Sequence, residues 1–339
     1  MTINVTKPSV NLREKLNELE TNKGLKGNEI LQAETAQEVR SLIGAGRKNL
    51  IINGGMQVAQ RGTSFTAYSG YTLDRYKGFG HTYNRIDNGD FYSLRMLWVS
   101  GTDANIYHPV ELKKGQLENG QTYTLSFKYK SSGSPMTLEI FYRTGTAGAN
   151  VVSQISVQTL PNSSGFSEYS ITFTCTGRVA AQTALNIRFG NGGGTKEIAN
   201  VQLELGSVAT DFEHRSYGEE LALCQRYFEK SYAQGVSPGT GGRTGMVGSG
   251  GTQGQTTTTE VGGGSNPFAV EKRTTPTMTY YDNAGAAGKV ERLNAGIAWS
   301  SNNVNGQPFN PNTRSHSFIS ASGATASGVY AHFTADAEL

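Results

Sequence analysis

The chain has 339 residues, 43 of them glycine, and only 17% are charged. Nine prolines and no Gly-x-y period exclude collagen, and the shortage of charge excludes a helical repeat array and charge-driven disorder. A net charge of +3, from 30 Lys+Arg against 27 Asp+Glu, is too even for a nucleic-acid footprint. What remains is a Gly/Ser/Thr-rich, mostly β protein of about two domains. No run of 18 apolar residues is present, so no membrane span is expected. Residues 1–15 lack an apolar core of the secretory kind, so folding in a cytosol is expected.

Residues 1–48 carry eight Lys/Arg and six Asp/Glu. Leu12, Leu16 and Leu19 recur on one face of a short helix, with Asn11 and Glu14 at its start. Thr35 and Glu38 form a capping box for a second helix ending at Gly44, whose apolar face is Val39, Leu42 and Ile43. Such helices are too short to be stable alone. They need another copy of the chain or a separate protein; a leader with only transient helix is the other reading.

Residues 49–217 alternate apolar and polar residues at Asn49–Ile52, Tyr92–Met96, Thr122–Tyr129, Thr137–Tyr142, Tyr169–Cys175, Ala184–Phe189 and Glu197–Leu205. Turn clusters such as Asp87-Asn88-Gly89-Asp90 separate them. Many strands with no helix between them predict antiparallel sheets, most economically a jelly-roll sandwich. Residues 218–232 predict a connecting helix, the pattern beginning at Tyr217 with Glu219 and Glu220 in its first turn. Residues 233–339 predict a smaller β domain, with strands at Gly254–Val261, Phe268–Lys272, Thr277–Tyr281, Gly288–Leu293, His316–Ser320 and Val329–Thr334. Its glycine-rich start, 233–266, reads equally as a flexible linker.

No nucleophile elbow, zinc-protease motif, phosphate loop or Cys-x-x-Cys is present. Cys175 and Cys224 read as small buried apolar residues, and the five histidines as polar surface residues. A glycosidase would need two facing carboxylates, which spacing alone does not establish. Sugar binding would use exposed aromatics: Tyr71, Tyr76, Tyr83, Trp98 and Tyr107, with Tyr68 and Tyr142 in the wider set. Asn53 and Glu204 are hard ligands that would suit a structural calcium; no other cofactor is expected.

Five segments together resemble virion fibre proteins of tailed bacteriophages. They are Lys7–Leu16, Asn49–Gly62 with Tyr71–Tyr76, Ile198–Arg215, Glu219–Phe228, and Phe268–Tyr281 with the closing Ala335-Asp336-Ala337-Glu338-Leu339. The second and third are similar to the first and last strands of a galactose-binding-like jelly roll, as in carbohydrate-binding modules. The resemblance implies a tail or head fibre, made in the host cytoplasm and carried on the virion, and not an enzyme. It also implies a homotrimer, docked to a capsid or tail protein through residues 1–48. A glycan-binding adhesin is the alternative, with a host-surface glycan as partner. A polysaccharide depolymerase is the third reading.

Overall fold

The computed structural model describes residues 48–98, 105–143, 151–190, 193–250, 261–262, 264–294, 299–320 and 326–339. The expected anchor face, Leu12, Leu16, Leu19, Val39, Leu42 and Ile43, lies outside the described residues, as do residues 254–260 of one expected strand. The chain is mainly β, with one helix among the described residues.

Ten strands make the first sheet: β1 (Ser64–Tyr71), β2 (Lys77–Asp87), β3 (Tyr92–Leu97), β4 (Asn105–Glu111), β5 (Thr122–Ser131), β6 (Met136–Arg143), β7 (Val151–Leu160), β8 (Ser163–Thr174), β9 (Ala184–Gly190) and β10 (Thr195–Leu205). Their order is β7-β6-β9-β4-β2-β3-β10-β5-β8, with β1 on β2. Strand β2 serves both layers of a jelly-roll sandwich. Its residues 77–79 pair with β4 and its residues 82–87 with β3. The change of partner falls at Gly80, whose φ of 68° favours glycine. Tyr83 staples the bend: its hydroxyl accepts from the Phe79 amide at 2.8 Å and lies 2.9 Å from the Asn105 carbonyl. A Cβ at Gly78 would lie 2.4 Å from that ring.

Alternation decides which side chains fill the space between the layers. Leu138, Ile140 and Tyr142 of β6 and Leu185, Ile187 and Phe189 of β9 meet Leu125, Phe127, Ile198 and Leu203 from the opposite layer. Phe127 and Phe189 touch edge to face at 5.0 Å across it. The expected segment Asn49–Ile52 is extended but is not a strand; Leu50 N donates to Leu203 O at 2.8 Å and Ile51 is fully buried. Strands β1, β2 and β4 escaped the pattern because Gly70, Gly78, Gly80 and Pro109 interrupt them.

Helix α1 (Tyr217–Gln225) is capped by Ser216, whose hydroxyl accepts from Glu219 N. It is shorter than the expected helix reaching Tyr232. The chain turns at Arg226 and becomes β11 (Phe228–Lys230), because its backbone groups pair with the closing strand. The second sheet continues with β12 (Val247–Gly250), β13 (Val261–Gly262), β14 (Asn266–Pro267), β15 (Thr277–Tyr281), β16 (Lys289–Asn294), β17 (Trp299–Phe309), β18 (Ser315–Ser320) and β19 (Ala326–Asp336). Strand β19 is its spine. It pairs with β12 and β16 through its first half and with β15 and β11 through its second. Phe268, Tyr280, Val290, Phe318, Val329 and Phe333 form a separate small core.

Two expectations are corrected here. Phe268–Lys272 is not a strand; it is a loop pinned by Lys272, whose ammonium donates to Gln225 O at 2.6 Å and to Glu229 Oε2 at 2.5 Å. The histidines are not surface residues. His81, His108, His316 and His332 are buried, and only His214 is exposed. Each buried ring lies against aromatic surface: His81 edge-on to Tyr83 at 6.4 Å, His108 edge-on to Tyr76 at 4.9 Å, His316 on Phe268 at 5.1 Å, and His332 stacked on Tyr232 at 3.8 Å. Both cysteines are free and buried. Residues 233–250 pack on the second sheet: Lys230 Nζ donates to Val236 O at 2.6 Å, His332 Nε2 lies 3.1 Å from Gly242 O, and β12 pairs with β19.

Candidate functional site

Two polar assemblies stand out, one inside the molecule and one on its outer face. The first is a buried seam between the two sheets. Asn49 bridges the first and last parts of the jelly roll: its Oδ1 accepts from Ile51 N and Leu203 N, and its Nδ2 donates to Val201 O. Gly54 is required there, because a Cβ would lie 2.1 Å from Val201 O. Glu220 of α1 accepts from Asn53 N at 2.5 Å and pairs with Arg215 at 3.3 Å, while Arg215 also pairs with Glu213 at 3.0 Å.

The seam then reaches the second sheet. Gln60 hydrogen-bonds both carboxylate oxygens of Asp74 at 2.7 Å and donates to Phe228 O at 2.7 Å. Arg61 lies 3.6 Å over the Phe228 ring and pairs with Asp336 at 3.2 Å and Glu338 at 3.4 Å. Arg75 lies 3.6 Å over Tyr227, donates to Pro109 O at 2.7 Å and pairs closely with Glu338. Burial opposes the charge on both guanidiniums, but Glu338 and its neighbours outweigh it and hold both above their ordinary value. The segments Asn49–Gly62, Tyr71–Tyr76, Ile198–Arg215, Glu219–Phe228 and Ala335–Leu339 therefore meet in one place. Their chemistry is that of a brace. It is mostly buried, with Asp336 at its edge 43% exposed, and uses ion pairs whose charges are compensated.

The second assembly lies on the outward side of β6, β9, β4 and β2. Direct cross-strand pairing puts Tyr71, Lys77, Tyr107, Arg188 and Glu139 in one row across five strands. Pro109, Asn186 and Phe141 form the next row, and Glu111, Ala184 and Arg143 the one after. Tyr107 meets Phe79 at 5.4 Å and Phe141 at 6.3 Å, both edge to face. Arg188 pairs closely with Glu139 and donates to the Tyr107 hydroxyl at 3.3 Å. Lys77 lies 5.2 Å over Tyr71.

This face is recessed: Phe141 is 2% exposed, Asn186 3%, Arg143 5% and Glu139 8%, although all four point away from the core. Two buried donors in it, Asn186 Nδ2 and Arg143 Nε, have no hydrogen-bond partner. Arg75 Nε, Arg215 Nε and His108 Nδ1 in the seam are likewise without a partner, but these two are the ones that lie on the outward face.

A cleft of about 160 Å³ enters the seam beside Asn49, Arg75, His108, Glu111, Arg215 and Tyr227, and two larger ones open elsewhere. One of about 420 Å³ lies on the opposite layer, lined by Lys128, Glu168, Tyr169, Asn200, Phe212 and His214. Another of about 390 Å³ lies between the two sheets, beside Gln57, Arg85, Tyr92, Tyr217 and Gln234. None of the buried unpartnered polar atoms among the described residues belongs to these two larger clefts, whereas Arg75, His108 and Arg215, which each have one, line the cleft at the seam.

No protein-family model and no curated protein matches the chain. Among solved structures, the enzymatically active domain of bacteriophage CBA120 tailspike protein 4 is similar at 17% identity over 46% of this chain, with a TM-score of 0.34; the similarity spans 21% of that chain. A CBM4 structure is similar at 16% identity over 46% of this chain and 99% of its own, with a TM-score of 0.31. The family 16 carbohydrate-binding module-2 is similar at 16% identity over 46% and 99%, with a TM-score of 0.32. No residue role is carried over from these structures.

The residues singled out from sequence fall in different places. Tyr71 and Tyr107 share the recessed row; the Tyr71 hydroxyl also donates to Leu339 O at 2.6 Å. Tyr76 and Tyr83 are fully buried, one against His108 and one in the bend of β2, so neither ring offers a face to a sugar. Tyr142 is likewise buried, its hydroxyl donating to Leu117 O. Trp98 is 42% exposed and belongs to none of the three rows. Asn53 and Glu204, the expected calcium ligands, each have partners within the protein. Asn53 bonds Val58 and Asp74, whereas Glu204 is taken up by Gln202 and Thr210. A cation would have to displace N–H and O–H donors that already satisfy the carboxylate. No group of three or more acidic, Cys or His ligands occurs among the described residues. Aromatic residues alone do not mark Asn186, Arg188 and Arg143. Alternation in β6 and β9 already marked them as outward positions.

Proposed function

We propose that the chain is a fibre-like appendage of a bacteriophage virion that binds a host-surface glycan on the recessed face of its jelly roll. The observation that carries the binding is the Tyr71–Lys77–Tyr107–Arg188–Glu139 row beside two buried open donors. A sugar ring presents an apolar C–H face and a rim of hydroxyls. Aromatic edges with fixed donors and acceptors suit both. The virion assignment rests on the fibre-like segments, and the buried brace supports it, because it holds two β units as one stiff body. Docking runs through residues 1–48 to a capsid or tail protein. The fibre is made in the host cytoplasm as a homotrimer, whose threefold contacts cover open strand edges.

Binding occurs without cleavage. Glu139 is committed to Arg188, and Asp336 and Glu338 to Arg61 and Arg75, which leaves none of these carboxylates placed as a free acid and base pair. No helix among the described residues is long and apolar enough to cross a membrane.

The test compares particles carrying the full chain, the chain lacking residues 1–48, and the chain with Tyr107→Ala. The truncation should remove the protein from particles. Tyr107→Ala should leave it incorporated but lower cell adsorption about tenfold, the effect of losing roughly 1.4 kcal/mol of ring contact. Normal incorporation of the truncation, or unchanged adsorption by Tyr107→Ala, would count against the respective half.

A further inference from the structure

Among the described residues, the recessed face holds a cation without a counter-ion. Arg143 is 5% exposed, yet its side chain has no carboxylate partner and its Nε has no acceptor. Two other buried guanidiniums are compensated: Arg75 by Glu338, and Arg215 by Glu213 and Glu220. An uncompensated buried charge is costly and is rarely kept without a use. The chain retains the residue where a methionine or leucine would pack on β6 at no such cost.

Its surroundings say what is missing. Arg143 influences Lys77, whose ammonium is itself lowered by burial first and by Arg143 second. Tyr107 and Tyr71 lie close enough to act on Arg143 in turn. On the sheet, Lys77 lies in the Tyr107 row and Arg143 two rows on along the same outward face. Glu139 does not offset them, because it is taken by Arg188. Asp336 and Glu338 act on Lys77, but both are engaged by Arg61, and Glu338 also by Arg75. Asn186 Nδ2, one strand over, adds a neutral donor. A planar guanidinium with an adjacent amide fits the two oxygens of a carboxylate better than a round anion.

We propose that the recessed face recognises a carboxylate-bearing sugar, the unit of an acidic polysaccharide, with Arg143 taking the carboxylate and Asn186 and Lys77 completing its shell. Tyr107, with Phe79 at its edge, then supports the ring of the same sugar. This rests on the glycan-binding reading and deepens it by naming the sugar class.

The experiment titrates the full chain, by calorimetry, with three probes. They are an oligogalacturonate, the same oligomer after carboxyl reduction to neutral sugar, and a sulfated galactan oligomer. The oligogalacturonate should bind at least tenfold more tightly than either other probe. Arg143→Met and Lys77→Gln should each lower that affinity about tenfold or more and so remove most of the preference for the oligogalacturonate over the neutral oligomer. Equal affinity for the neutral oligomer overturns the acidic-sugar assignment while the glycan-binding reading stands. Equal affinity for the sulfated oligomer overturns the carboxylate assignment. Binding of none of the three, nor of oligosaccharides released from the host envelope, overturns both readings. Lys77→Gln lies on a half-buried position and keeps the test decisive if Arg143→Met does not fold.

Discussion

Replacing Glu338 by alanine should destabilise the protein by about 3–5 kcal/mol, the loss expected when one partner of a buried ion pair is removed. The reason is asymmetric. Glu338 is buried and serves two cations, Arg75 at 1% side-chain exposure and Arg61 at 9%. Arg61 keeps Asp336 and lies near Asp74 after the change, but Arg75 keeps only the Pro109 carbonyl and the face of Tyr227. Burial holds the Glu338 carboxyl above its ordinary range even though the two arginines pull it down, so its charge depends on keeping both of them. Urea unfolding reads the effect directly. The double variant Arg75→Met with Glu338→Met should lose much less than the sum of the single changes, because no charge is then stranded. A loss below about 1 kcal/mol, the range of an exposed ion pair, would show that the seam does not brace the two sheets.

The second large effect is a loss of stability on mild acidification. Burial lowers His108 to about 3, with the Arg75 cation adding to it, and burial lowers His316 to about 4, with Lys272 adding to it. Unfolded histidine titrates near 6.5. The folded chain therefore keeps both rings neutral through a range in which the unfolded chain takes up two protons. The favourable contribution is whole above about pH 7. It falls as the pH drops below about 6.5, at a slope approaching 1.4 kcal/mol per pH unit for each ring, until the folded values are reached. Ordinary carboxylates titrate mostly below about pH 5, so the window from 6.5 to 5 isolates the histidines. Denaturant midpoints should fall steadily across that window, and His316→Phe should shallow the fall. Identical midpoints at pH 7 and pH 5 would contradict the buried neutral rings.

The sandwich was legible because its layers obey a period of two. Leu138, Ile140 and Tyr142 read inward and are inward, and the same holds for Leu185, Ile187 and Phe189. Strands interrupted for a structural purpose were not legible. Gly80 lets β2 change partners, and Pro109 lies inside β4 while its carbonyl accepts from Arg75. Helix α1 was overextended because Phe228 continues the apolar spacing, while its backbone is claimed by β19 across more than a hundred residues. The histidines were misread for a similar reason. Nothing local marks His316 as a ring between Phe268 and Phe333; that contact exists only once the second sheet closes. The candidate site was half legible. Tyr71 and Tyr107 were singled out as aromatics, but their neighbours across the sheet, and the burial of Tyr76 and Tyr83, depend on register.

Hydroxyl-radical footprinting of the full chain, with and without oligosaccharides released from the host envelope polysaccharide, tests the central claim most directly. Protection should appear at Tyr107, Tyr71 and Phe79 on the recessed face and be lost with Tyr107→Ala. Protection confined to Tyr169, Phe212 and His214, in the groove on the opposite layer, would contradict it.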